Sequence, residues 1–235
     1  MALPRLNEVP EYELVIPSTK ERVSYRPFLV KEQKILLIAA ESQDKKQMLS
    51  AVINMVESCV SGLKKDRLTT FDLDYIFTQI RSKSVGESTE LIAICTDCEH
   101  QNKILVDLDN AKLSSEPKQS KVNLTDDIIV EMKYPSYHDI MNTEAIVNGS
   151  SQTEMAIEMI KISLDKIFTE EEAILVKDES DAEINRFIDS LNDDQFRKLS
   201  EFIQDIPKLQ IDNSFKCENC GKQNTRTIEG IEAFF

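Results

Sequence analysis

Apolar and polar positions alternate at the start of the chain and then change period. Tyr12, Leu14 and Ile16 are spaced by two, the polar run at 18–21 reads as a turn, and Val23 and Tyr25 resume the alternation. That pattern predicts a β-hairpin ending at Pro27. From Lys31 the spacing becomes helical: Ile35, Leu36 and residues 38–40 predict a first helix, and Leu49, Val52, Ile53, Val56, Cys59 and Val60 form the apolar stripe of a second. A third carries Leu73, Ile76, Phe77 and Ile80, opens with the capping-box spacing of Thr69 and Asp72, and stops at Gly86. Residues 87–95, then Ile104, Val106 and Leu108, read as strand, tight turn, strand. Residues 109–121 are poor in apolar side chains and read as a linker, and IIVEM at 128–132 is a short strand stopping before Pro135.

A second helical block follows. Ser136 caps a short helix through Ile140, Met141 and Ala145, broken at Asn148 and Gly149. Ser151 and Glu154 open a longer one with Ile157, Ile160, Leu164 and Phe168 on one face. Ser180 with Glu183 opens another (Ile184, Phe187, Ile188, Leu191), and Asn192 caps the last (Phe196, Leu199, Ile203, Ile206), which Pro207 ends. Leu209 and Ile211 then run extended, and residues 225–235 supply an outgoing strand. The expected class is α+β. Residues 1–86 form a hairpin plus three-helix lobe, residues 87–108 and 208–235 a discontinuous four-cysteine zinc-ribbon β module, and residues 109–207 an inserted, acidic, mainly helical lobe.

Composition narrows the function classes. The 235 residues carry 28 Lys and Arg against 42 Asp and Glu, a net charge of -14. Such a field repels phosphate backbones, which argues against a nucleic-acid partner. Residues 170–205 alone hold twelve acids and four bases, read first as a solvated helical face and second as a docking face for a basic partner. MALPRLNEVP has no apolar signal-peptide core and no run of eighteen apolar residues exists, so no membrane role and a cytosolic setting are expected. The five glycines include no phosphate-cradling loop, and His138 has no matched nucleophile, so neither a catalytic residue nor a small-molecule substrate is expected.

The cysteines carry the chemistry. Cys95 and Cys98 lie in CTDCEHQN, and Cys217 and Cys220 lie in CENCGKQN, each pair in a turn between predicted strands. Two CxxC turns can close a tetrahedral shell of four thiolates around one ion at about 2.3 Å, the geometry of a structural zinc site with no open position for catalysis. The 118 residues between the pairs exceed the usual ribbon spacing, which an insertion with converging ends would explain. Two unrelated pairs, or a redox dithiol, are the alternatives. The redox reading is weak because each pair lies between strands instead of opening a helix. His100 reads as a surface residue, and Cys59, on the stripe with Val52 and Val56, as a small buried hydrophobe.

Wording adds to periodicity. YRPFLVKEQKILLIA at 25–39 and LTTFDLDYIFTQIRSKSVGE at 68–87, followed by CTDC, resemble a family of baseplate hub or hub-assembly proteins of T4-like contractile-tailed phages; the opening MALPRLNEVPEYELVIPST is similar too. The resemblance is carried by the first half and, beyond it, by the CENC pair and overall length. It implies a non-enzymatic protein that builds or forms part of the baseplate hub by contacts with hub or other tail proteins, in the host cytoplasm during assembly and in the virion if retained. It brings no catalytic residues. The competing reading from the residues alone is a zinc-ribbon regulator of a transcription or replication protein; a metalloenzyme would need an open metal site.

Overall fold

The computed structural model describes residues 9–42, 44–63, 68–118, 120–147 and 151–230. Two units divide the chain: residues 1–65, 71–114 and 208–235 form the first, and residues 66–70 and 115–207 the second. Among the described residues no helix is long and apolar enough to cross a membrane.

In the first unit, β1 (Tyr12–Val15) and β2 (Arg22–Tyr25) pair antiparallel with Tyr12 opposite Tyr25, their rings 5.6 Å apart. Helices α1 (Val30–Ser42), α2 (Lys45–Cys59) and α3 (Thr70–Val85) follow. Asp44 starts α2 by accepting from the N–H groups of Lys46 and Gln47. The α2 stripe read from the sequence is buried at Val52, Val56, Cys59 and the residue that follows the helix, Val60, as are Phe71, Ile76, Phe77 and Ile80 of α3. The apolar run of α1 is different. Leu36 and Ala39 are buried whereas Ile35, Leu37 and Ile38 are exposed, so only part of the run is core.

Arg26 joins the hairpin to the helices. Its backbone N–H donates to Cys59 O at 2.9 Å, and its guanidinium reaches both Ser58 O and the buried Glu32 at 2.9 Å. At the start of α3, the buried Asp72 takes the N–H and hydroxyl of Ser18, at 2.9 and 2.5 Å.

The remaining strands of this unit form two hairpins. β3 (Ser88–Ile94) pairs with β4 (Gln101–Asp107), and, much later in the chain, β10 (Leu209–Lys216) pairs with β11 (Gln223–Glu229). β5 (Lys112–Leu113), inside the stretch read as a linker, adds to the free side of β10. Beside it Ser114 N–H donates to Lys208 O at 2.8 Å and Lys208 N–H to Ser114 Oγ at 3.0 Å. The intervening segment therefore leaves and returns through one hydrogen-bonded gate.

The second unit builds a four-stranded antiparallel sheet in the order β6-β7-β8-β9, from β6 (Lys121–Asn123), β7 (Ile129–Met132), β8 (Leu164–Phe168) and β9 (Ala173–Leu175). Around it lie α4 (Tyr137–Asn142), α5 (Glu144–Val147), α6 (Gln152–Ser163), α7 (Asp181–Asp189) and α8 (Asp193–Gln204). Val130, Met132, Ile160, Leu164, Ile188 and Leu199 share one apolar core. Ser136, Ser151 and Asn192 each close a full capping box, and Ser180 accepts from Glu183 N–H.

Two expectations change here. The helix opened at Ser151 stops at Ser163, and Leu164 to Phe168, read as its last turn, forms β8 between β7 and β9. Leu164 is buried either way, so the apolar stripe could not separate helix from strand; pairing on both edges decides. Likewise the linker at 109–121 contributes β5 and the first residue of β6. The break expected at Asn148 and Gly149, and residues 231–235 of the outgoing strand, lie outside the described residues; β11 itself begins earlier, at Gln223.

Candidate metal centre

Each CxxC sits in a six-residue turn of the same backbone path. Cys95 N–H donates to His100 O at 2.9 Å and Glu99 N–H to Cys95 O at 3.1 Å; in the second turn Cys217 N–H donates to Lys222 O at 2.8 Å and Gly221 N–H to Cys217 O at 2.9 Å. The residue after the second cysteine is left-handed in both, Glu99 at φ 56° and Gly221 at φ 76°. Glycine adopts that conformation freely, whereas glutamate is strained in it.

The turns bring all four sulfurs together, within 4.8 Å of one another. Across the hairpins, Cys95 Sγ lies 3.6 Å from Cys220 Sγ and Cys98 Sγ lies 3.6 Å from Cys217 Sγ. A disulfide needs about 2.05 Å, so these are not bonds. Four sulfurs on one ion at about 2.3 Å would be separated by about 3.8 Å, close to the two 3.6 Å separations across the hairpins. Cys95 and Cys217 are buried and Cys220 is exposed.

The electrostatics fit a cation. The N–H groups of Cys98 and Asp97 point at Cys95 Sγ and, with Asn224 and Cys220, bring its thiol down to about 6. Cys217 is lowered chiefly by the Cys220 N–H, with that of Asn219 assisting. Cys220 goes the other way: the Lys222 N–H favours its thiolate, yet Cys98, burial, Cys95 and Cys217 together push it up to about 12. Sulfurs this close cannot all ionise by themselves, and a cation bound among them would resolve the conflict. The four cysteines could therefore hold one metal ion, and all four coordination positions would be protein sulfur. Outside the group, His100 is exposed, and Cys59 is buried with its thiol raised to about 11 by desolvation.

Two asparagines missing from the sequence reading complete the site. Asn102 and Asn224 each lie seven positions after the first cysteine of their own turn and are 2% and 4% exposed. Each folds back on its own turn, Asn102 Nδ2 donating to His100 O at 2.9 Å and Asn224 Nδ2 to Lys222 O at 3.0 Å. Each also reaches the other turn: Asn102 Oδ1 accepts from Glu218 N–H at 2.9 Å, and Asn224 Oδ1 accepts from Thr96 N–H and Oγ1 at 3.0 Å. The signal was present in the shared QN that ends both cysteine strings, CTDCEHQN and CENCGKQN.

A protein-family model described as T4 bacteriophage base plate protein matches residues 9–235. No curated protein and no solved structure matches the chain. The family match runs through both cysteine turns and through the whole second unit, so it is not a local likeness of metal-binding turns. The chain belongs to the T4 bacteriophage base plate protein family.

Proposed function

We propose that this protein builds, or forms part of, the baseplate hub of a contractile phage tail, acting by contacts with other tail proteins and without catalysing a reaction. The family match over residues 9–235 carries this reading. The site chemistry supports it: a shell closed by four sulfurs leaves no position for a water or substrate, so its contribution is to cross-link chain segments. Cys95, Cys98, Cys217 and Cys220 would hold a structural zinc, joining the β3–β4 and β10–β11 hairpins.

Mass spectrometry of purified virions, paired with deletion of the gene, tests the role. Either the chain is found at fixed copy number in the tail, or it is absent and its deletion stops baseplate formation. Normal tails after deletion would overturn the proposal. Elemental analysis of the purified chain tests the metal. One zinc per chain is expected, and iron in its place, or no metal at all, removes the zinc assignment.

A further inference from the structure

The two asparagines form a reciprocal arrangement around the sulfurs. Each belongs to one half-site, and each accepts from the amide that directly follows the first cysteine of the other, Glu218 after Cys217 and Thr96 after Cys95. Asparagine suits this task because one planar group presents an acceptor and two donors. Oδ1 takes the partner turn's amide while Nδ2 holds the carbonyl of its own turn. Aspartate keeps the shape and loses the donors, and alanine loses both.

The arrangement is not fully symmetric. Asn102 Nδ2 is directed to carbonyls, His100 O at 2.9 Å and Ala93 O at 3.4 Å. Asn224 Nδ2 divides between Lys222 O at 3.0 Å and the sulfur of Cys95 at 3.5 Å. A hydrogen bond to a ligating thiolate draws charge from it and fixes its direction, as outer-shell partners do at metal sites generally.

We propose that Asn102 and Asn224 are positioning residues that hold the two half-sites in register for the ion, and that Asn224 also tunes the Cys95 ligand through its sulfur. This rests on the reading that the four cysteines hold one metal ion, so the wild-type chain is measured first. A wild type that takes up no metal fails that underlying reading, and the proposal falls with it. Given a loaded wild type, the outcomes concern the asparagines alone.

The probes are zinc release to a chromogenic chelator and the absorption spectrum of the cobalt(II)-loaded full chain. Asn102→Ala and Asn224→Ala are each expected to speed zinc release about 10–100-fold, while Asn213→Ala stays within about twofold. Asn213 is the control because it bridges the same two hairpins, donating to Leu105 O at 2.8 Å, from a half-buried position four residues before Cys217 and with no hydrogen bond to either cysteine turn. The thiolate-to-cobalt charge-transfer band is expected to move in Asn224→Ala and stay at its wild-type position in Asn102→Ala. Asn224→Asp keeps the acceptor for Thr96, loses the donors and places a carboxylate oxygen beside the Cys95 sulfur, so it should move the band even where the alanine variants fold poorly. Wild-type release rates in both alanine variants would overturn the positioning role. Equal band shifts in Asn102→Ala and Asn224→Ala, or no shift in Asn224→Asp, would overturn the assignment of Asn224 to the Cys95 sulfur.

Discussion

The turn between β1 and β2 and the two cysteine turns follow the same backbone path and are fixed by different chemistry. In the first, Ile16 N–H donates to Glu21 O and Lys20 N–H to Ile16 O, both at 2.9 Å, and Lys20 is left-handed at φ 59°. Those are the bonds of the Cys95 and Cys217 turns, position for position. Ile16 and Thr19 stand where the cysteines stand, and Ile16 is buried. The first turn is anchored from outside by Ser18 on Asp72, whereas the others converge on one another through sulfur and asparagine. The six-residue turn is thus a general device of the chain. What makes a candidate metal centre of it is the side chain at its first and fourth positions, together with a second copy facing it.

Each kind of anchor can be removed without touching the other. Cys217→Ser should have the largest effect, destabilising the first unit by several kcal/mol, because structural zinc couples ~10–16 kcal/mol of binding free energy to folding. Urea unfolding with metal analysis of the same samples checks it, and a variant as stable as wild type would show that sulfur does not hold the hairpins. Asp72→Ala should cost ~1–3 kcal/mol by leaving the Ser18 N–H without its acceptor, yet metal content should not change. Metal lost along with stability would mean that the three turns are not independently anchored.

Smaller effects test the shared backbone itself. Gly221→Ala places a side chain at φ 76° and should cost ~1–2 kcal/mol, although the nearest atom, Lys216 Cε at 3.7 Å, leaves room for it. The reverse changes, Lys20→Gly and Glu99→Gly, relieve left-handed strain at the price of a freer unfolded chain, with a net gain of ~0.5 kcal/mol expected in calorimetric melting. Similar gains at both positions would confirm one turn type. A gain at one alone would separate them.

Elements that declare themselves locally were legible in the sequence. The alternation of Tyr12, Leu14 and Ile16, the stripe of α2 and the caps at Ser136, Ser151 and Asn192 encode their structure within a few residues, and the structure has them where the pattern puts them. The convergence of CTDC and CENC was also legible, because two identical spacings in similar strings imply a common partner. What escaped depends on distant partners. β5 is two residues long and exists through Leu209 and Gln210. β8 shows a helical spacing, Leu164 to Phe168, that pairing with β7 and β9 overrides. Ile35, Leu37 and Ile38 look like core by type alone, and nothing local says that they face outward. Asn102 and Asn224 looked like ordinary polar residues after a turn until the facing turn supplied the amides they hold.

The 118 residues between Cys98 and Cys217 also set a clock on synthesis. At roughly 5–20 residues per second, a chain leaving the ribosome presents its first cysteine pair about 6–24 s before the second emerges. Throughout that interval the first half-site has only two sulfurs, and Asn102 has no Glu218 amide to hold. The second unit, whose strands and helices all lie between the pairs, can fold in the meantime on its own core. Released chains truncated before Cys217 and after residue 230 should therefore differ in zinc retention, and the closing of the sulfur shell would be a late event that reports that the intervening segment has been made.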